Sequence, residues 1–135
     1  MAKLSDSGIY VIVDLTGGAG QQQLNPSRLE ETYNQTYLED IYDIVDTYAK
    51  YDNTLAFFAG DGVLDPSVDD FLDAAPYVKA TVRDTKQYIS SKDYRSIPVG
   101  YAATNDNINN LKKLADYLNA GPEEERIDFM GLVSL

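Results

Sequence analysis

The stretch Gly8-Ile-Tyr-Val-Ile-Val-Asp-Leu15 decides the fold, because it is a nearly continuous run of apolar and β-branched residues. A strand with one face in water alternates apolar and polar residues, whereas a strand that is buried on both faces shows an unbroken run like this one. Strands of the second kind belong to parallel sheets that helices cover. We therefore predict that residues 8–15 form the first strand of a parallel sheet.

Three more apolar runs follow, and segments with helical spacing of apolar residues separate them. The predicted strands are 8–15, 55–59, 97–102 and 127–133, and the predicted helices are 38–49, 76–92 and 108–118. Thr36 and Glu39 fit a capping box at the start of the first helix, and Pro76 suits the first turn of the second. Gly121 and Pro122 are the stop signal of the third.

The element order is thus β-α-β-α-β-α-β, which predicts an α/β fold with four parallel strands and three helices. Residues 1–135 read as a single α/β domain, without a repeat or linker. A complete (β/α)8 barrel takes about 250 residues, so the chain supplies roughly half of one. Two architectures remain open, which are half of a (β/α)8 barrel and a flavodoxin-like open sheet.

Composition excludes several classes of function. The formal net charge is -11, and no basic patch is visible, so we expect neither nucleic acid nor an anionic membrane surface as a partner. The chain has no Cys and no His, which excludes thiolate and imidazole catalysis and the usual zinc sites. We expect no cofactor and no bound metal. The first residues lack a signal-peptide pattern and no apolar run is long enough to span a membrane, so we expect a soluble chain.

Several long motifs together resemble the fungal β-1,3-glucanosyltransferases, which cut and rejoin β-1,3-glucan in the cell wall and are usually secreted and lipid-anchored. The resemblance covers nearly the whole chain and implies a retaining glycosidase-type barrel, of which this chain matches the third to sixth strands. The motifs are Gly8-Ile-Tyr-Val-Ile-Val-Asp-Leu15, Lys50-Tyr-Asp-Asn-Thr-Leu-Ala-Phe-Phe-Ala-Gly60, Ala75-Pro-Tyr-Val-Lys-Ala80, Arg83-Asp-Thr-Lys-Gln-Tyr-Ile-Ser90 and Tyr94-Arg-Ser-Ile-Pro-Val-Gly-Tyr101.

The chain departs from the family pattern at the catalytic positions. In the family, the strand matching Leu55 to Gly60 runs on into Asn-Glu, whose Glu is the general acid/base; here the two positions are Asp61 and Gly62. The family nucleophile is a Glu on the seventh strand, which lies beyond the matched part. Retaining hydrolysis needs both carboxyl groups. We therefore predict that the chain has no inherited catalysis.

Further departures favour an engineered or designed scaffold derived from a half-barrel, with a natural, decayed paralogue as the alternative. A Cys common in the family is replaced by Ala120, and a polar and aromatic run near the C-terminus is replaced by Gly131-Leu132-Val133. The localisation stays open, because the family is secreted whereas this chain shows no signal peptide.

Four residues are candidates for an alternative function, which is residual β-1,3-glucan binding or weak glycosidase activity at the carboxyl ends of the strands. Asp14 lies at the end of the first predicted strand and Asp61 follows the second, and in neighbouring strands their carboxylates would be close enough to share a proton. The simpler interpretation is that Asp14 caps a loop and Asp61 makes an Asp-Gly turn. Tyr101 and Asn53 are the candidate sugar contacts.

Exposed first and last strands also predict association with another chain. Two copies related by a twofold axis would contribute eight strands, which is the number needed to close a barrel as a homodimer. A monomeric open sheet is the alternative.

Overall fold

Four strands and five α-helices make up the described part of the chain, which in the computed structural model is residues 2–16, 21, 24–25, 28–61, 64, 71–104 and 108–133. A 3₁₀ helix at Phe71–Ala74 leads into the longest α-helix. The elements are α1 (Ala2–Asp6), β1 (Val11–Asp14), α2 (Leu29–Thr32), α3 (Gln35–Tyr48), β2 (Thr54–Asp61), α4 (Ala75–Ser91), β3 (Val99–Thr104), α5 (Ile108–Leu118) and β4 (Met130–Val133).

The strands form one all-parallel sheet in the order β1-β2-β3-β4. Each helical crossover therefore returns the chain to the next position in the same direction, as in the wall of a (β/α)8 barrel. A flavodoxin-like sheet has the order 2-1-3-4-5, in which the direction of winding reverses after the second strand. The α/β prediction and the half-barrel alternative are confirmed, and the flavodoxin-like alternative is wrong.

The start of α3 differs from the predicted capping box. Asn34 is the N-cap, with an extended backbone, and its side-chain oxygen accepts a hydrogen bond of 2.9 Å from the backbone N–H of Tyr37. Glu39 instead accepts a hydrogen bond from the Gln35 side chain. The cap thus lies two residues earlier than Thr36, because Asn at the N-cap satisfies a free N–H of the first turn.

The two faces of the sheet have different surroundings. Alternate strand residues pack with the helices into one core, whose fully buried members include Phe57, Val99, Tyr101, Ile41, Val45, Val78, Val82 and Leu114. The residues between them in the strands point to the opposite face, where Ile12 is 41% exposed while Ala56 and Ala102 are buried. We call this second face the open face. In a complete barrel it would line the interior.

A buried hydroxyl on α4 gives a stability prediction. The Thr85 side chain is fully buried, and its hydroxyl makes no hydrogen bond within the described residues. A buried polar group without a partner costs about 1–3 kcal/mol. We expect Thr85→Val to raise the free energy of unfolding by about 1 kcal/mol, as measured by urea denaturation.

Thr81 is the matched control, because it is equally buried and lies one turn earlier on the same helix. Its hydroxyl hydrogen-bonds the Tyr37 hydroxyl at 2.9 Å and the Tyr77 carbonyl oxygen at 2.9 Å. Thr81→Val therefore leaves partners unsatisfied and should destabilise the protein. Equal changes in the same direction for both variants would contradict this assignment.

Candidate functional site

Two carboxylates lie at the edge of the sheet where sites in parallel α/β folds are found. Asp14 ends β1 and Asp61 ends β2, and these strands are neighbours. Both residues therefore lie at the carboxyl ends of their strands, which is where ligands and substrates meet such folds. We call this edge of the sheet the carboxyl rim.

The strand register separates the two carboxylates along the strand direction. Asp14 lies opposite Phe58, so Asp61 is three residues farther along its strand. At about 3.3 Å per residue, three residues correspond to an offset of roughly 10 Å, which the irregularity between Phe58 and Asp61 shortens somewhat. The register does not support a pair of carboxylates that shares one proton, because the two side chains do not lie side by side.

Asp14 has a structural contact within its own loop. Its Oδ1 accepts hydrogen bonds from the backbone N–H of Thr16 at 2.8 Å and from the Thr16 hydroxyl at 2.9 Å. This is an Asx-type turn, in which the side chain replaces a backbone acceptor. Asp14 is half-buried, whereas Asp61 is exposed. The geometry agrees with the simpler interpretation of Asp14, which is loop capping.

Tyr101 lies in the core. Its side chain is 0% exposed and belongs to the buried cluster that packs against the helices. Its hydroxyl accepts a hydrogen bond of 2.8 Å from the backbone N–H of Leu64, which is also buried. Tyr101 thereby fixes the position of Leu64 relative to β3. The buried position of Tyr101 does not support the predicted contact with a sugar.

Asn53 lies at the opposite end of the sheet from the carboxyl rim. It directly precedes β2, and its backbone carbonyl accepts a hydrogen bond of 2.8 Å from the N–H of Val11 at the start of β1. Its side-chain amide donates to the carbonyl oxygen of Ile9 at 3.2 Å. The placement of Asn53 at the rim was wrong, because the residue stands at the amino end of its strand.

Gly62, the residue that the resemblance pairs with the family acid/base, lies outside the described residues. Its neighbour Asp61 is the last described residue of β2. Glycine has no ionisable side chain, so this position contributes no proton donor in any conformation.

Two phenylalanines that the sequence analysis did not single out form the floor of the open face. The rings of Phe58 and Phe129 contact each other with centroids 5.4 Å apart and planes inclined by 44°. Phe58 follows Phe57, which is in the core, so successive side chains of β2 point to opposite faces. The sequence does carry a signal for this position of Phe58, because neighbouring residues of a strand point to opposite faces of the sheet. We call Phe58 and Phe129 the aromatic floor.

Two glycines make room for the aromatic floor. A Cβ atom on Gly100 would lie 2.5 Å from the backbone oxygen of Phe129 and 2.7 Å from its ring. A Cβ atom on Gly131 would lie 2.8 Å from the tip of the Phe58 ring. These distances are far below normal contact. The glycines on β3 and β4 are therefore required by the rings that cross them.

Several tyrosines in or near α3 and α4 have raised pKa values. Burial raises the pKa of Tyr37 to about 12. Burial, followed by the hydrogen bond that it donates to Asp84, raises the pKa of Tyr33 well above its ordinary value. Both phenols are therefore neutral at neutral pH, and Tyr33 donates its hydrogen bond to Asp84. Their contacts with Asp84 and Thr81 join Tyr33 and Tyr37 to α4.

A cavity of about 540 Å³ lies at the amino end of β3. Lys86 lines it and donates to the carbonyl oxygens of Glu123 at 3.0 Å and Arg126 at 2.7 Å, and to Oδ1 of Asp128 at 2.9 Å. At the amino-terminal face of a barrel, contacts of this kind contribute to stability rather than to chemistry. The lysine joins α4 to the segment before β4.

Within the described ranges, no group of three or more His, Cys, Asp or Glu side chains is placed to hold a metal ion. No helix in those ranges is long and apolar enough to cross a membrane.

Comparison with known proteins places this geometry in a family. The model of the Glucanosyltransferase family matches residues 1–134. The 1,3-beta-glucanosyltransferase gel1 of Aspergillus fumigatus is 44% identical over 129 residues, which are 96% of this chain and 27% of that protein. The 1,3-beta-glucanosyltransferase GAS5 of Saccharomyces cerevisiae is 42% identical over 134 residues, which are 98% of this chain and 26% of that protein.

A solved structure shows the same arrangement of strands and helices. Saccharomyces cerevisiae Gas2p in complex with laminaripentaose superposes with a TM-score of 0.83 and 32% identity, covering 97% of this chain and 28% of that chain. The chain thus spans about a quarter of the length of the relatives that it matches. The sequence, the strand order and this superposition agree: the chain belongs to the glucanosyltransferase family and corresponds to a part of its catalytic barrel.

Proposed function

We propose that this chain is a non-catalytic half-barrel scaffold that keeps a weak β-1,3-glucan site at the carboxyl rim. The main argument against catalysis is the position of the Asp14 carboxylate relative to that of Asp61. Retaining hydrolysis needs two carboxyl groups about 5–5.5 Å apart. The register offset does not provide such a pair, and Gly62 stands where the family has its acid/base.

An inverting mechanism does not fit the two carboxylates better. It uses a wider separation, but one carboxyl group must be shielded from water so that it can act as the acid. Asp61 is exposed, and one oxygen of Asp14 is held by Thr16. We therefore expect this chain to show neither glycosidase nor transglycosylase activity.

The glucan site is supported by the fold and by one relative. Gas2p is the protein whose structure was solved with laminaripentaose, and the described sheet superposes on it. Asp61 offers an exposed carboxylate, which is a strong acceptor for sugar hydroxyl groups. Asp14 offers the carboxylate oxygen that Thr16 does not hold. Tyr101 and Asn53 do not take part in the proposed site, because both are buried.

The test is a titration of the chain with laminaripentaose, followed by NMR and by product analysis of the same sample. We expect chemical-shift changes at the carboxyl rim and no new oligosaccharides. Asp61→Ala should weaken binding about fivefold, which corresponds to the loss of one net hydrogen bond of about 1 kcal/mol. Asp52→Ala is the matched control, because Asp52 is exposed at the amino end of β2 and should leave binding unchanged.

Two results would contradict the proposal. Oligosaccharide products that disappear in Asp61→Ala would show that the rim is catalytic. Binding that is equal in the Asp61 and Asp52 variants would show that the rim is not the site.

Two further statements stay proposals. We propose that the chain associates with itself, since among the described residues no strand pairs with the outer side of β1 or of β4. An engineered origin is supported only by the departures at Asp61, Gly62 and Ala120.

A further inference from the structure

One Asn-x-Thr triplet lies at the corner between α2 and α3. It is Asn34-Gln35-Thr36, and its middle residue is not proline. Such a triplet is the acceptor signal for N-linked oligosaccharides in a chain that enters the secretory pathway. The full sequence contains no second signal of this kind, because Asn25-Pro26-Ser27 has a proline in the middle position. Any N-linked oligosaccharide on this chain would therefore be attached to Asn34.

Asn34 caps α3 through the oxygen of its side chain. That oxygen accepts a hydrogen bond of 2.9 Å from the N–H of Tyr37, and Nδ2 donates to the carbonyl oxygen of Glu31 at 3.0 Å. N-glycosylation changes only Nδ2, because it replaces one of the hydrogens of the amide nitrogen with a sugar carbon. The oxygen that caps the helix remains an amide oxygen. The helix cap and an oligosaccharide are therefore compatible at the same residue.

Thr36 takes no part in this cap. It is the second residue of α3 and is exposed, and the cap position predicted for it belongs to Asn34. Threonine is a poorer helix former than Ala, Glu, Lys or Gln, so an exposed helix position gains nothing from it. The acceptor signal, in contrast, requires a hydroxyl residue two positions after the asparagine. The identity of residue 36 thus fits modification better than it fits helix formation.

The corner between α2 and α3 has polar and exposed surroundings. Gln35 and Thr36 are exposed, and so are Arg28 and Glu31, whose side chains form an ion pair on α2 and the residue before it. An oligosaccharide is bulky and strongly hydrated, so it suits a surface of this kind. Attachment there would leave the apolar core between the helices and the sheet undisturbed.

We infer that Asn34 is a site of N-linked glycosylation, with an oligosaccharide on an isoprenoid pyrophosphate as the donor. In the transfer, Nδ2 of Asn34 attacks C1 of the first sugar and loses one proton to a base of the transferase. The N–C bond forms as the C–O bond to the pyrophosphate breaks, and the isoprenoid pyrophosphate leaves. No group is oxidised or reduced. This site is separate from the proposed glucan site.

The transfer takes place before α3 forms. In the folded protein, Nδ2 is held by the carbonyl oxygen of Glu31, whereas in the nascent chain the amide is free to enter a transferase. Exposure of the corner in the folded state is therefore not a condition for the reaction. The folded state needs only to accept the product, which the retained cap oxygen allows.

The experiment is expression of the full chain behind a cleavable secretory leader in a eukaryotic host. Mass spectrometry before and after treatment with an amidase that removes N-glycans should reveal one oligosaccharide per chain. The amidase leaves an aspartate at position 34, which a peptide map locates. Asn25 should be unmodified in the same sample, because Pro26 follows it.

Thr36 supplies a matched pair of variants. Thr36→Val removes the hydroxyl with little change of shape and should abolish the modification, whereas Thr36→Ser keeps the hydroxyl and should retain it. Neither change touches the Asn34 cap, so both variants should keep the circular dichroism spectrum of the parent. Asn34→Asp should also abolish the modification while the helix stays capped, because Asp and Asn are equally good N-cap residues.

An Asn-Ala-Thr tag appended to the chain is the control for entry into the secretory pathway. A chain that is modified on the tag and not on Asn34 would overturn the inference, as would an oligosaccharide that persists in Thr36→Val.

Urea unfolding tests whether the folded state accepts the sugar. The glycosylated chain should have the same midpoint as the chain made without modification, whereas Asn34→Ala, which removes the cap, should have a lower one. A midpoint of the glycosylated chain as low as that of Asn34→Ala would show that the sugar displaces the cap, and the proposed compatibility would then be wrong.

Discussion

Replacing Gly100 with Ala is expected to destabilise the protein by about 3 kcal/mol, at the upper end of typical overpacking costs. The added Cβ would lie 2.5 Å from the backbone oxygen of Phe129. A backbone atom in a parallel strand pair cannot move away without breaking the ladder between β3 and β4. The lower chain entropy that Ala gives the unfolded state offsets only a small part of this cost.

Gly131→Ala is the comparison that tests this reasoning, because its Cβ would meet the tip of the Phe58 ring at 2.8 Å. A ring tip can move at modest cost, so we expect a loss of about 1 kcal/mol. Urea unfolding at one protein concentration measures both, and the midpoints should differ while the slopes agree. A smaller effect at Gly100 than at Gly131 would show that the β3–β4 pairing yields to the extra atom.

Lys86→Met is expected to cost about 2 kcal/mol, the range for hydrogen bonds to charged groups. The Lys86 ammonium donates to two carbonyl oxygens and to Asp128, and its side chain is mostly buried. Met keeps the apolar length of the side chain but leaves these acceptors without their donor. The segment before β4 should then loosen from α4.

The control for this substitution is Lys112→Met, since Lys112 is an exposed residue of α5. It should change the free energy of unfolding by less than about 0.5 kcal/mol. Hydrogen exchange adds a local readout, because amides at 123–128 should lose protection in Lys86→Met. Unchanged protection there would show that the lysine does not hold this segment.

The strands and long helices were predictable because their signals are local. All four predicted strands appear, within two or three residues at most boundaries, and α4 begins at Ala75 beside the predicted Pro76. The short helices α1 and α2 were missed, because four or five residues carry too little periodicity to be recognised.

The candidate site was less predictable, because its geometry depends on pairing between distant segments. Strand ends can be read from the sequence, which correctly located Asp14 and Asp61 at strand ends. Which residue lies opposite Asp14 is decided by the β1–β2 register, and the sequence contains no local signal for it. Asn53 precedes the predicted strand 55–59, so its position at the amino end of that strand could also be read from the sequence, and assigning it to the rim was wrong on that ground as well.

The sequence by itself determined the element order, the family and the absence of an ionisable side chain at position 62, because apolar periodicity and residue identity are properties of the chain. Only the tertiary structure decided the strand order, the offset between Asp14 and Asp61, the inward position of Tyr101 and the contact of Phe58 with Phe129. These features depend on register and on the face to which each side chain points. Shifting a strand by one residue would exchange its faces without changing the sequence at all.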